Sequence, residues 1–168
     1  MLLLKEIPRY ECLLERSRRY PQLDPSAMEA FLHLLRVSTD VFDAFGALLA
    51  HHETSQGRFV VLILLNRDPE TPCNLADLAG RSSVTRATMT GLIDTLERDG
   101  LVNREPSAGD RRMLLVRLTG TGKTFLDKIL PDYFRRVTTL MGGLSPVEQK
   151  TLVLLMTKIG QRIPEAKA

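Results

Sequence analysis

Residues 74–119 read NLADLAGRSSVTRATMTGLIDTLERDGLVNREPSAGDRRMLLVRLT. The second half of the stretch 74–99 carries a helix signal derivable from chemistry alone. Thr85 suits an N-cap, since its hydroxyl can accept from an otherwise unpaired first-turn N–H. Met89, Leu92, Ile93 and Leu96 recur at helical spacing and predict one buried stripe. At 3.6 residues per turn the opposite face carries Ala87, Thr90, Gly91, Asp94 and Arg98, with Arg86 at the side of the first turn. Gly100 is placed to end the helix, because it adopts left-handed backbone at no steric cost.

A shorter helix precedes it. Asn74 is its predicted cap, and Leu75, Leu78 and Ala79 form its apolar side. Gly80-Arg81-Ser82-Ser83 is read as the turn between the two helices, with Val84 pinning that turn to the core. After Gly100, Leu101-Val102 opens a strand, Pro106-Ser107-Ala108-Gly109-Asp110 has turn chemistry, and Met113 to Leu118 returns as a second strand. The order is helix-turn-helix plus a hairpin wing, a shape suited to placing one helix in a DNA major groove. The small exposed residues of the second helix allow close approach to base edges, and Arg86 can pair bidentately with guanine. Arg111 and Arg112 at the wing tip suit the minor groove, whose negative potential attracts cations. Asp110 is read as an ion-pair partner that holds a wing arginine in position. The candidate DNA-binding residues are therefore Thr85, Arg86, Ala87, Thr88, Thr90, Gly91, Arg111 and Arg112.

This stretch resembles the MarR family of winged-helix transcription regulators. Asp77-Leu78-Ala79 carries the likeness on the first helix, and Val84-Thr85-x-Ala87-Thr88-Met89-Thr90 opens the second. Leu96-Glu97-x-x-Gly100-Leu101-Val102 closes that helix, followed by Asp110-x-Arg112 and Val116-x-Leu118-Thr119. The resemblance implies a homodimer on a roughly palindromic double-stranded operator, with recognition helices in the major groove and Arg112 in the minor groove. It also implies a small effector, often aromatic or anionic, that binds between the dimer layer and the winged module and relieves repression. The chain departs from the family at three positions. Gly91 and Thr95 stand where arginine is frequent, and Arg86 where proline is frequent, so base readout leans on Arg86.

Helices are expected on both sides of this module. Asp24-Pro25 pairs an N-cap with proline at the first helical position and opens a helix through about Leu49, with Met28, Phe31, Leu32, Leu35, Phe42 and Phe45 apolar. Thr54-Ser55 caps the next, which carries Phe59, Val60, Leu62, Ile63 and Leu65 and is broken by 68–72. Thr119 caps a helix through Met141, in which Pro131 should cause a kink or replace one turn. Ser145-Pro146-Val147-Glu148 is a capping box opening the last helix. The expected fold class is mainly α with a small β-hairpin wing. Its expected parts are N-terminal dimerisation helices (1–53), a winged helix-turn-helix (54–119) and C-terminal dimerisation helices (120–168), intertwined as one domain. The flanking apolar surface exceeds what so small a module covers, and a second copy of the chain is the economical cover.

The chain has 168 residues, 43% hydrophobic and 5% aromatic, without Trp, enough for a real core. A net charge of +3 is mild for a nucleic-acid binder, so the reading rests on where arginines sit. No run approaches the roughly eighteen apolar residues of a membrane span. Met1 to Leu4 is too short for a signal-peptide core, so a soluble, cytoplasmic chain without a membrane partner is expected. Cys12 and Cys73 are the only cysteines, which is no disulfide framework.

Other chemistries are weaker. Gly120-Thr121-Gly122-Lys123-Thr124 ends like a phosphate loop, but Arg117 stands where the motif needs its first glycine. It is read as a helix cap, with a nucleotide-binding protein as the remote alternative. His51-His52-Glu53 places neighbours about 100° apart on a helix, a poor metal site. A redox role for Cys12 or Cys73 has only nearby Arg9 and Arg16 in its favour. No catalytic constellation is present, no cofactor is expected, and the chain is read as not an enzyme. A winged helix used for protein contact is the other alternative, against which Arg86, Arg111 and Arg112 argue.

Overall fold

The computed structural model of the chain describes residues 6–69, 71–107 and 114–167. Helices α1 (Tyr10–Arg19), α2 (Pro25–His51) and α3 (Gln56–Asn66) come first. Strand β1 (Cys73–Asn74), helices α4 (Leu75–Ser82) and α5 (Arg86–Arg98), and strands β2 (Val102–Pro106) and β3 (Leu114–Leu118) follow. Helices α6 (Gly120–Met141) and α7 (Pro146–Arg162) and a short 3-10 turn (Glu165–Lys167) complete the described chain.

The helix starts follow the caps read from sequence. Asp24 accepts from the N–H of Ser26 and Ala27, Ser55 from Arg58, Asn74 from Asp77, Thr85 from Thr88 and Thr119 from Gly122. Ser145 and Glu148 form the reciprocal capping box of α7. The Ser145 hydroxyl and N–H both donate to Glu148 and hold its carboxyl below the usual range. The α5 helix closes as a Schellman motif. Gly100 sits at φ +71, its N–H donates to the Glu97 carbonyl, and the Leu101 N–H donates to that of Leu96.

Four local features differ from the sequence expectation. First, α4 runs through Ser82, so the turn is three residues, not 80–83. Gly80 stays helical, and Ser83 makes the left-handed step at φ 54. Second, Leu101 finishes the α5 cap, and β2 begins at Val102. Third, α6 stays helical through Pro131, so no turn of it is replaced. The missing N–H leaves the Asp127 carbonyl without its helical donor, but both residues are exposed and water can substitute. Fourth, α1 and β1 had no sequence reading. β1 is too short to show alternation; it is defined by antiparallel pairing of Cys73 with Val116 and Asn74 with Leu115 on β3. The sheet order is β1-β3-β2.

One cluster fills the winged unit. Met89, Ile93 and Leu96 of α5 are wholly buried against Val61 and Leu62 of α3, Leu78 of α4 and Val116 of β3. Leu126 and Ile129 of α6 join the same cluster, so the first half of α6 belongs to this core. Beyond it the chain is thinly covered. Phe31, Val37 and Phe42 of α2 and Phe134 and Leu140 of α6 are exposed, and α7 buries no residue although Val153, Leu154, Leu155 and Ile159 lie along it. No helix among the described residues is long and apolar enough to cross a membrane.

The glycine-rich start of α6 has a packing explanation. A Cβ on Gly122 would stand 2.1 Å from the Leu101 carbonyl oxygen and 2.7 Å from Leu118 Cδ1. Gly122 is thus required by close approach of α6 to the root of the wing. Gly120 has open space around it. Gly122→Ala is expected to destabilise the fold by about 1–3 kcal/mol, as overpacking does, while Gly120→Ala stays within about 0.5 kcal/mol. Thermal melts of the two variants check this; equal melting temperatures would contradict the tight α6 contact.

Candidate nucleic-acid interface

The α5 helix is anchored on one side and bare on the other. Its buried stripe is Met89, Ile93 and Leu96, with Leu92 half-buried at the margin. Thr85, Arg86, Ala87, Thr88, Thr90 and Gly91 are all exposed; they are the N-cap and first turns of α5, with Ala87, Thr90 and Gly91 opposite the buried stripe and Thr85 and Arg86 at its edges. Thr85 accepts from the Thr88 N–H at 3.1 Å, and the two hydroxyls lie 2.9 Å apart. The Thr90 hydroxyl donates to the Arg86 carbonyl at 3.0 Å, leaving its lone pairs outward. Nothing lies within 4 Å of the space a Gly91 Cβ would fill. Such a surface can approach a base edge without steric conflict, with Arg86 as its long cation.

The turn before α5 is fixed from below. Val84 packs against the core, and its N–H donates to the Ala79 carbonyl at 3.1 Å. At the far end of α5, Arg58 of α3 pairs with Asp99. The wing strands pair in register from Val102 with Leu118 to Pro106 with Leu114. Asp110, Arg111 and Arg112 lie outside the described residues.

Sequence reading missed the charged network that joins α5 to the wing. Arg104 of β2 donates from Nη1 to Glu97 Oε2 and from Nη2 to Asp94 Oδ1, each at 2.6 Å. Its backbone N–H donates to Glu97 Oε1 at 3.0 Å. Burial alone would lower the Arg104 pKa; the Asp94 hydrogen bond and the charges of Glu97 and Asp94 outweigh it and raise the pKa above the usual arginine value. The signal available in sequence was Asp94 and Glu97 three apart on one helix face. Nothing local identified Arg104, ten residues on, as their partner. A second cross-strand pair joins Arg117 of β3 to Glu105 of β2, and Arg117 also donates to the Pro69 carbonyl.

A cavity of about 720 Å³ lies behind α5. Phe42 and Phe45 of α2, Phe59 and Ile63 of α3, and Tyr133 and Phe134 of α6 supply its aromatic and apolar walls. Ser82 at the end of α4, Val84 from the turn and Leu92 from α5 complete the side toward the helix-turn-helix. Gln56, Asn66 and Arg67 add polar groups. Phe42 and Phe45 were read only as apolar helix positions, and a cavity lined from five helices and a turn left no local pattern.

The remaining sequence candidates lie outside α5 and the wing strands, and Cys73 pairs with β3. Thr119 to Thr124 is the capped start of α6. His52 Nε2 lies 3.8 Å from the Asp132 carboxylate. No group of three or more metal-ligating side chains occurs among the described residues. Cys12 is exposed; Cys73 is half-buried, its sulfur 3.6 Å from Arg81 Nη1.

Comparison with known proteins agrees with this geometry. Residues 54–114 match the model of the MarR family. The HTH-type transcriptional repressor YetL of Bacillus subtilis (strain 168) is 32% identical over 160 residues, 95% of this chain and 96% of YetL. Among solved structures, CouR, a transcriptional repressor bound to a 23-mer DNA duplex, superposes with a TM-score of 0.69 at 26% identity over 77% of this chain and 90% of CouR. BpsR of Bordetella bronchiseptica, whose DNA binding is regulated by 6-hydroxynicotinic acid, gives 0.66 at 29% identity over 76% of this chain and 91% of BpsR. A near full-length relative and a family match centred on the α3–β3 unit lead to one assignment: the chain belongs to the MarR family of winged helix-turn-helix transcriptional regulators.

Proposed function

We propose that the chain works as a homodimeric, cytoplasmic repressor that binds a roughly palindromic operator and releases it when a small ligand enters the cavity behind α5. The observation that carries this reading is the α5 helix: three core side chains at zero exposure hold it, while six small, polar or cationic residues at its N-cap and first turns are all exposed. The winged unit (54–119) presents α5 to the major groove, Arg86 reads a base, and Arg111 and Arg112 reach the minor groove. The flanking segments 1–53 and 120–168 form the dimer layer, apart from the first half of α6, whose Leu126 and Ile129 pack into the winged core. Support for the layer comes from α7, which has no buried residue, and from the exposed apolar side chains of α2 and α6. Contiguous exposed apolar faces of that kind mark surfaces that a partner covers. A two-fold dimer would set its α5 helices about 34–36 Å apart, one turn of DNA.

The ligand class follows from the cavity walls. Phe42, Phe45, Phe59, Tyr133 and Phe134 favour a flat aromatic body, and Arg67 and Gln56 at the lining favour a polar or anionic substituent. Leu92 belongs to both the cavity wall and α5, so a ligand that displaces it moves the DNA-reading helix. No step of this reading requires enzymatic chemistry.

Three outcomes are expected. Light scattering at micromolar concentration should give twice the 18.9 kDa chain mass; a well-folded monomer that binds a full palindrome tightly contradicts the dimer. Arg86→Ala should cost roughly 1–3 kcal/mol per half-site and relax preference at one base position. Equal weakening on every sequence would make Arg86 a phosphate contact instead. At the wing, Arg112→Ala should weaken operator binding and lower the salt slope by about one unit per lost contact, with the melting temperature unchanged. Asp110→Ala should also weaken binding if Asp110 orients Arg112, whereas removal of a negative charge near phosphates predicts tighter binding. Salt-titrated affinities of both variants decide the sign.

A further inference from the structure

We propose that Arg104 is a positioning residue for DNA recognition: by bridging Asp94 and Glu97 of α5 from the wing strand β2, it fixes the angle between the recognition helix and the wing, so that both reach DNA as one rigid body. The inference rests on the operator-binding reading above and assigns a role that reading does not need.

Three bonds make the bridge. Two come from the guanidinium to separate carboxylates, and one runs from the Arg104 backbone N–H to Glu97. The backbone bond ties the strand itself, and the forked guanidinium fixes rotation about that tie. Most exposed ion pairs contribute little, because two flexible side chains must be ordered for one screened contact. Here the arginine side chain is only 19% exposed and makes both bonds at once from one planar group. Arg104 also faces Val116 across the hairpin, midway along β2, so its anchor acts on both strands.

The position of Asp94 gives the bridge its connection to recognition. It follows Thr90 by four residues and Gly91 by three, and shares their exposed face. Its side chain is 57% exposed. An unpaired carboxylate on the face meant for phosphates and base edges would oppose binding. Arg104 neutralises it while it holds the wing. Charge neutralisation alone is thus a competing account, and the two accounts separate by substitution. Lysine at 104 keeps the charge, but its single ammonium cannot form the planar two-carboxylate bridge. Glu97→Gln keeps an oxygen for the Arg104 N–H, loses the charged bond to the guanidinium, and removes a negative charge near DNA.

The test uses the intact chain and a DNA fragment that the wild type selects from a random-sequence pool. Arg104→Lys should weaken operator binding roughly tenfold or more, within the range of coupling between contacting residues. Hydroxyl-radical protection in the flanking minor groove should be lost, while guanine N7 protection in the major groove persists. Affinity for unrelated DNA should stay within about twofold. Glu97→Gln should also weaken operator binding, against the direction of its charge change. The inference is overturned if Arg104→Lys keeps wild-type affinity and wild-type protection in both grooves. It is equally overturned if both protections fall together in step with a lowered melting temperature, or if Glu97→Gln binds the operator more tightly. A wild-type chain that selects and protects no DNA overturns the operator reading, and this inference with it.

Discussion

The Leu101 carbonyl is the point at which the architecture is tied together. It accepts from the Thr119 N–H at 3.1 Å and from the Thr119 hydroxyl at 3.1 Å, and the bare Cα of Gly122 lies against it. The same Thr119 hydroxyl donates to the Gly100 carbonyl and accepts from the Gly122 N–H, so one side chain links the end of α5 to the start of α6. Four elements meet here: the left-handed close of α5, the root of β2, the end of β3 and the first turn of α6. An error in any one would move the others. The orientation of α5 relative to the long α6 helix is therefore set by backbone groups within a few residues, and exposed side chains have little part in it.

That knot explains why a stretch resembling a phosphate loop carries no phosphate chemistry. Its glycines serve two different needs. Gly122 permits backbone contact with Leu101, and Gly120 stands in open space. Thr119, just before them, spends its hydroxyl on three protein partners. The first-turn N–H groups that would cradle an anion are thereby partly committed.

Local chemistry was legible in sequence, and relations between distant segments were not. Caps at Asp24, Ser55, Asn74, Thr85, Thr119 and Ser145 depend on two to four consecutive residues, and each stands where its hydroxyl, amide or carboxylate is spaced to reach an N–H. The Met89–Leu96 stripe is periodic within one helix. The failures lie elsewhere. Ser83 takes a left-handed step more easily made by glycine, because Val84 must bond the Ala79 carbonyl while its side chain reaches the core. β1 exists only through its partner β3. Phe42, read as an apolar helix position, is 63% exposed and lines a cavity closed by α3 and α6. Arg104 has its carboxylate partners on another element. In each case the deciding contact has no period and no fixed spacing.

Charge shows the same division. A net of +3 says little about which cations are free, because several arginines are engaged in ion pairs. Arg58 holds Asp99, Arg104 holds Asp94 and Glu97, and Arg117 holds Glu105. These pairs neutralise acidic groups along the C-terminal half of α5 and on β2. Arg86 is exposed at the opposite end of α5 from Asp94, Glu97 and Asp99. The helix is thus polarised along its length: its N-terminal half is small, polar and cationic, and its C-terminal half is acidic and bound to arginines of α3 and β2. The dipole of α5 adds to the same sense, with its positive end at Thr85 and Arg86. A helix so arranged meets an anionic surface best with its first turns inserted, while its acidic end stays against protein. Leu92 sits between the two halves on the cavity side, in contact range of the space beside Gly57. Pressure at that point acts near the middle of α5, between the end bonded to Arg104 and the exposed N-terminal turns.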